Sequence, residues 1–276
     1  MRIFPSMMKL WKPAAIAFSA SLLPGLAAFA QGVDQLVQLE VLDGGKSDNG
    51  TYQGALRLTL KDGWKTYWRA PGDAGIPPQF DWSGSRNVGD IAITWPAPKI
   101  FDQNGLQSIG YEDQLVLPVE ITPKNPAKPV RLRGEMDLGV CKDVCVPGRL
   151  DFDHTLDANA GRNPAIAAAL AQRPFSEREA GVAEATCRLT PTADGMQIEA
   201  HITMPSAGGA EVAVIEPGNP TLWASQSDTD RQGNTLVARS EVINASGGPF
   251  ALDRSEVRIT VLGSNHAVDI LGCSAG

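Results

Sequence analysis

The stretch Leu138-Gly139-Val140-Cys141-Lys142-Asp143-Val144-Cys145-Val146-Pro147 sets two cysteines on either side of a three-residue loop, with apolar and β-branched residues approaching from both directions. It reads as a β-hairpin with one cysteine on each strand. Opposed residues of an antiparallel pair have Cα atoms roughly 4.5–5.5 Å apart, within the span of a disulfide. The two sulfurs can therefore join or part with little backbone movement. A bridge closing so short a loop contributes only ~2 kcal/mol in the chain-entropy model, which makes it a weak staple and a plausible redox couple. Two other readings stay open at this point. One is a structural clip; the other is a pair of thiolate metal ligands, with Met136 or His154 as further donors. No second close cysteine pair is present to complete a zinc site, whereas copper(I) accepts soft sulfur at low coordination.

Outward from this hairpin the chain reads as short strands separated by turns. Val33 to Leu42 is a first strand, broken by Asp43-Gly44-Gly45. Ala55 to Leu60 alternates, turns at Lys61-Asp62-Gly63 and resumes from Trp64 to Arg69, which predicts a second hairpin. Its second arm carries Trp64, Thr66 and Trp68 on one face and Lys65, Tyr67 and Arg69 on the other. Ala70 to Pro78 contains three prolines and two glycines and must be an irregular loop. Phe80 to Trp82, Ile91 to Trp95, Leu115 to Ile121, Val130 to Met136 and Leu150 to His154 complete the set. Seven to nine strands at this spacing predict an all-β chain whose first unit, residues 31–157, is an immunoglobulin-like β-sandwich. The four tryptophans between residues 64 and 95 read as core rather than as a binding platform.

Residues 158–185 change character and read as a linker with a short helix. Asn163 caps it, Pro164 takes its first position, and Pro174 ends it. From Thr186 the strand pattern returns, predicting a second, smaller sandwich over residues 186–276 and hence two immunoglobulin-like domains in tandem. Cys187 opens this domain and Cys273 closes it. A bridge between them would be worth ~4.6 kcal/mol by the same entropy estimate, so this pair reads as a structural disulfide. His201 and His266 have no motif around them and read as surface residues.

The N-terminus bears on compartment. Arg2, Lys9 and Lys12 precede a mostly apolar run from Ala14 to Ala30 that ends Ala28-Phe29-Ala30, the pattern of a signal peptide cleaved near Ala30. Export would place the cysteines where disulfides persist. Losing three basic residues and no acidic ones takes the formal charge from −7 to −10. An acidic chain without a basic patch excludes nucleic acid as a partner, and no stretch of the mature chain suits a membrane span.

Several of these segments together resemble the N-terminal periplasmic domain of the DsbD thiol:disulfide interchange family, in particular its ScsB-like branch linked to copper tolerance. The resembling text is Gly63 to Arg69, Pro71 to Pro78, Phe80-Asp81-Trp82, Trp95 to Pro98, Gly110-Tyr111 through Val119, and Val140 to Pro147. It covers roughly residues 33–155, with a weaker likeness in tandem layout beyond residue 186. The resemblance implies a periplasmic carrier in which a thioredoxin-like or membrane-coupled donor reduces the Cys141/Cys145 pair, which then reduces oxidised periplasmic proteins. It implies Cys145 as the attacking and attacked sulfur and Cys141 as the resolving one. It also implies a cap loop over the pair, here Phe101 to Gly110 through Asp102, Gln103, Asn104 and Leu106. The spacing of the pair is closer than in the best-known members, and the cap segment lacks their adjacent aromatics. As the chain carries neither a membrane domain nor a thioredoxin-like domain, donor and acceptor are expected to be other proteins. No cofactor is expected. A copper-binding module and a redox-silent adaptor are the alternatives from other classes.

Overall fold

The computed structural model describes residues 32–103 and 106–276, with Gln103 and Leu106 described by backbone alone. The expected signal peptide therefore lies outside the described residues. Among them, ten strands precede residue 156: β1 (Val37–Lys46), β2 (Tyr52–Leu60), β3 (Lys65–Tyr67), β4 (Gln79–Asp81), β5 (Val88–Ile93), β6 (Lys99–Gln103), β7 (Leu106–Glu112), β8 (Gln114–Pro123), β9 (Arg131–Cys141) and β10 (Cys145–Thr155). They form two sheets, ordered β1-β2-β8-β5 and β10-β9-β3-β7-β6, with β4 also paired to β9. Alternation along the strands turns Leu56, Leu58, Leu115, Leu117, Leu132, Met136 and Leu138 into the space between the sheets, where Trp68 is fully buried. Trp64, Trp82 and Trp95 pack against the same core. The unit is an immunoglobulin-like sandwich.

The expected hairpin between Ala55–Leu60 and Trp64–Arg69 does not form. β2 already has β1 on one edge and β8 on the other, so it has no free edge to offer β3. The turn at Lys61 to Gly63, with Gly63 at φ 76°, instead carries the chain across to the opposite sheet, where β3 lies between β7 and β9. Alternation identified the faces of both strands correctly; it does not specify partners.

The helix α1 (Pro164–Ala171) starts at Asn163, whose side chain accepts the Ala165 N–H at 3.0 Å. Its Ile166 and Ala169 pack on Ala55 and Val116 of the first sandwich. Strands β11 (Phe175–Ser176), β12 (Glu184–Pro191), β13 (Met196–Thr203), β14 (Val212–Glu216), β15 (Leu222–Ala224), β16 (Asp228–Gln232), β17 (Thr235–Asn244), β18 (Arg258–Leu262), β19 (Ala267–Leu271) and β20 (Ser274–Ala275) follow. Their sheets run β11-β19-β18-β14 and β15-β17-β13-β12-β20, with β16 also on β17. This second sandwich thus takes its first strand from Phe175, ahead of the point where sequence alternation resumes. A one-turn helix, α2 (Glu177–Ala180), follows that strand and is opened by a Ser176/Glu179 capping box. Cys187 and Cys273 are bonded, with Cα atoms 5.7 Å apart, joining β12 to the segment before β20.

The two sandwiches belong to one compact unit, Gln31–Gly276. Leu262 and Ala267 of the second are buried in the core cluster of the first, and Val214 packs against it. Arg69 crosses between them, donating from Nε and Nη2 to the two carboxylate oxygens of Glu216 at 3.0 and 2.9 Å, and to Thr260 Oγ1 at 3.2 Å.

Candidate functional site

In the β9–β10 hairpin the register pairs Cys141 directly with Cys145, and the turn is closed by Lys142 N–H donating to Val144 O at 3.1 Å. The two cysteines are disulfide-bonded, with Cα atoms 4.1 Å apart. Their surroundings differ because their strands do. β9 is an interior strand, flanked by β10 and β3, and Cys141 is 1% exposed. β10 is an edge strand and Cys145, at its first position, is exposed beside Val144 at 65%. Pro147 has no N–H to donate, so it can sit in an edge strand and weakens the pairing near Cys145.

The neighbour on the other side of Cys141 is β3, whose Lys65 is opposite it in register. Thr66 Oγ1 donates to Gly139 O at 3.0 Å, tying β3 to the hairpin just below the cysteine. Tyr67 turns to the cysteine face. Its hydroxyl lies 2.8 Å from Cys141 Sγ, to which it donates, and 3.3 Å from Cys145 Sγ. Burial pushes the Tyr67 pKa above its usual 10, so the hydroxyl keeps its proton and remains a donor at neutral pH. Lys65 is also buried, which lowers its pKa; its Nζ donates to Ser108 Oγ at 3.2 Å and lies 4.9 Å from the centre of the Phe101 ring. Lys142 leans away from the sulfurs, with Nζ 3.4 Å from Asp62 O.

The irregular segment Ala70 to Pro78 packs over this face. Tyr67 Oη is 3.5 Å from Ala74 O. A Cβ at Gly75 would lie 2.9 Å from Tyr67 Cδ1, and one at Gly139 would lie 2.9 Å from Ile76 Cβ. Both glycines are thus places where the loop comes too close to the strands for any larger residue.

Of the residues expected in the cap, Phe101 lies on β6, separated from β9 by β7 and β3, three strand spacings or roughly 14 Å. Its ring lies under the Lys65 ammonium. Asp102 is exposed on the same strand; Asn104 and the side chains of Gln103 and Leu106 lie outside the described residues. The two extra metal ligands considered from sequence are not at the cysteines. Met136 is wholly buried in the core, and His154 Nε2 is 2.9 Å from Asp43 Oδ2. His201 pairs with Glu199 at 2.7 Å, and His266 stacks on Phe175. Sequence reasoning assigned Tyr67 a face but no role. The available signal was a tyrosine sharing that face with Lys65 and Arg69 on a strand otherwise rich in tryptophan.

The fold and the hairpin define an immunoglobulin-like β-sandwich bearing an asymmetric, half-exposed disulfide. Residues 33–157 match the family model for the N-terminal part of the thiol:disulfide interchange protein DsbD. In overall fold the chain is similar to the N-terminal periplasmic domain of ScsB from Proteus mirabilis, at a TM-score of 0.66 and 20% sequence identity. That similarity covers 87% of this chain and 94% of the other. No curated protein matches the chain.

Proposed function

We propose that this chain is a periplasmic thiol–disulfide carrier, exported by its N-terminal signal peptide, that relays electron pairs through Cys141 and Cys145. The donor is a thioredoxin-like or membrane-coupled protein, and the acceptors are oxidised periplasmic proteins, in the setting of copper tolerance that the ScsB-like resemblance implies. The observation that carries this reading is the contrast between an exposed Cys145 on an edge strand and a buried Cys141 held by the Tyr67 hydroxyl.

In the loading half-reaction a donor thiolate attacks Cys145 Sγ. The S–S bond breaks, a mixed disulfide forms between donor and Cys145, and the electron pair leaves on Cys141 Sγ. Tyr67 donates its hydrogen bond to that departing sulfur, which lowers the cost of charge in a buried position. The donor's second cysteine then attacks its own sulfur in the mixed disulfide, expelling Cys145 as a thiolate. Two protons taken up from solvent leave both cysteines as thiols and the donor oxidised. The unloading half-reaction runs in the opposite sense. Cys145 thiolate attacks the client's disulfide, Cys141 attacks Cys145 Sγ, and the client departs with two electrons.

A copper(I) module would need further soft ligands beside the sulfurs, and Met136 and His154 are committed elsewhere. The test is capture of a thioredoxin-like donor that lacks its resolving cysteine. Cys141→Ser should accumulate a reductant-sensitive adduct through Cys145, and Cys145→Ser should trap much less. Capture through Cys141 would reverse the assignment, and capture by neither variant would refute the relay.

A further inference from the structure

The loop from Ala70 to Pro78 touches both the sulfur chemistry of the first sandwich and the body of the second. On one side it bears on Tyr67, through Ala74 O and the close approach of Gly75 to the ring. On the other side Asp73 Oδ1 accepts the backbone N–H of Gln226 at 3.0 Å, from the connection between β15 and β16. The Gln226 side chain also bonds Gln107 of β7, the strand beside β3. One residue before the loop, Arg69 is fixed by Glu216. The segment that follows Tyr67 is therefore anchored on the second sandwich at Arg69 and again at Asp73.

We propose that Asp73 is a positioning residue through which the second sandwich tunes the cysteine pair of the first: Gln226 holds Asp73, Asp73 holds the loop on Tyr67, and the loop holds the Tyr67 hydroxyl at the sulfurs. This gives the second sandwich a task in the exchange reaction without placing any of its residues at the disulfide. The inference rests on Cys141–Cys145 being the exchanging bond.

The sign of the effect separates positioning from charge. Asp73 is a carboxylate, and removing a nearby negative charge by itself favours a thiolate and lowers the pKa of a thiol. Loosening the Tyr67 donor does the reverse, because a thiolate deprived of its hydrogen bond is harder to form. The charged groups on the elements around the pair include Lys65 on β3, Asp62 in the turn before it, Lys142 and Asp143 in the hairpin turn, Arg149 with Asp137 and Glu135 on the hairpin, and the ion pair Lys99–Glu112 on β6 and β7. None of these is altered by the substitutions below.

The experiment follows alkylation of Cys145, whose Sγ lies 3.3 Å from the Tyr67 hydroxyl, by iodoacetamide against pH in the full-length chain, with Cys141–Cys145 opened by mild dithiol and Cys187–Cys273 left intact. Asp73→Ala should raise the apparent pKa of Cys145 by about half a unit, or about threefold less thiolate at neutral pH. Asp73→Asn, which keeps an oxygen acceptor for Gln226 N–H, should return the profile toward wild type. In a Tyr67→Phe background Asp73→Ala should add no upward shift. An unchanged or lowered pKa in Asp73→Ala overturns the proposal, and so does an upward shift that persists without the Tyr67 hydroxyl. Reducibility of the wild-type bond by a dithiol, measured on the same preparation, tests the exchange reading separately.

Discussion

Arg69 and Glu216 form a two-pronged ion pair across the two sandwiches, at 3.0 and 2.9 Å, and Arg69 lies two residues beyond the tyrosine that touches the sulfurs. Its side chain is 15% exposed and that of Glu216 is 22%, while Asp269 stands 3.6 Å from the same guanidinium. The pair thus sits in a partly dehydrated seam, where an unmatched charge is costly. Arg69→Ala leaves Glu216 without its fork and should destabilise the protein by about 2 kcal/mol. Arg69→Lys, with a single point of donation, should recover only part of that. Urea denaturation measures both, and a loss below about 0.5 kcal/mol for Arg69→Ala would show the seam to be held by apolar contacts alone.

The two disulfides should differ in resistance to reduction. Cys145 is exposed at the tip of a hairpin, whereas Cys187 is fully buried on β12, beside β20. Titration with a mild dithiol, followed by alkylation and peptide mapping, should open Cys141–Cys145 well before Cys187–Cys273. Opening of both together would contradict the division between a working bond and a staple.

Tyr111 gives a pH dependence with a definite sign. Its hydroxyl is buried and donates to Pro96 O at 2.8 Å, and burial raises its pKa well above the usual 10. The neutral form is therefore favoured in the folded state, so its contribution is complete below the unfolded pKa of about 10 and is lost as pH rises through the higher folded value. Melting temperature should fall between pH 10 and 12 less steeply in Tyr111→Phe than in wild type, though from a lower start because the Pro96 hydrogen bond is gone. Parallel curves would mean that Tyr111 does not contribute to the alkaline transition.

Gly110 lies where β7 passes β3. A Cβ there would stand 2.1 Å from the backbone oxygen of Thr66, which cannot move aside without breaking the β3 pairing that presents Tyr67. Gly110→Ala should cost about 2–3 kcal/mol. It should also weaken exchange at Cys145 in whatever fraction remains folded. Wild-type stability in this variant would show that β3 can shift freely.

The cysteine hairpin was legible because its signals are local. Turn length, flanking β-branched residues and Pro147 all act within a few positions of the sulfurs, and the register follows from them. The helix at Pro164 was readable for the same reason, with a cap, a proline and a stop inside twelve residues. The partner of β3 was not readable, since alternation states which face a side chain takes and says nothing about which strand lies alongside. Nor was the part played by residues 70–78. Its prolines and glycines announce an irregular path, but the contacts of Gly75 with Tyr67 and of Ile76 with Gly139 join residues far apart in sequence. The short strands β15, β16 and β20 escaped notice because two to five residues cannot display a period.

The direct opposition of Cys141 and Cys145 within one hydrogen-bonded hairpin limits what the protein can announce about its own oxidation state. In the proposed relay, opening the bond would free only the three-residue turn and unpair no strand, so the loaded and empty forms would share nearly one outline. A partner in that relay would have to tell them apart at the sulfurs themselves, by a hydrogen bond or a charge. Such a carrier would gain speed from having little to rearrange at each turnover. It would give up the means of ejecting a finished partner by changing shape, and separation would then come from the weakness of the encounter surface.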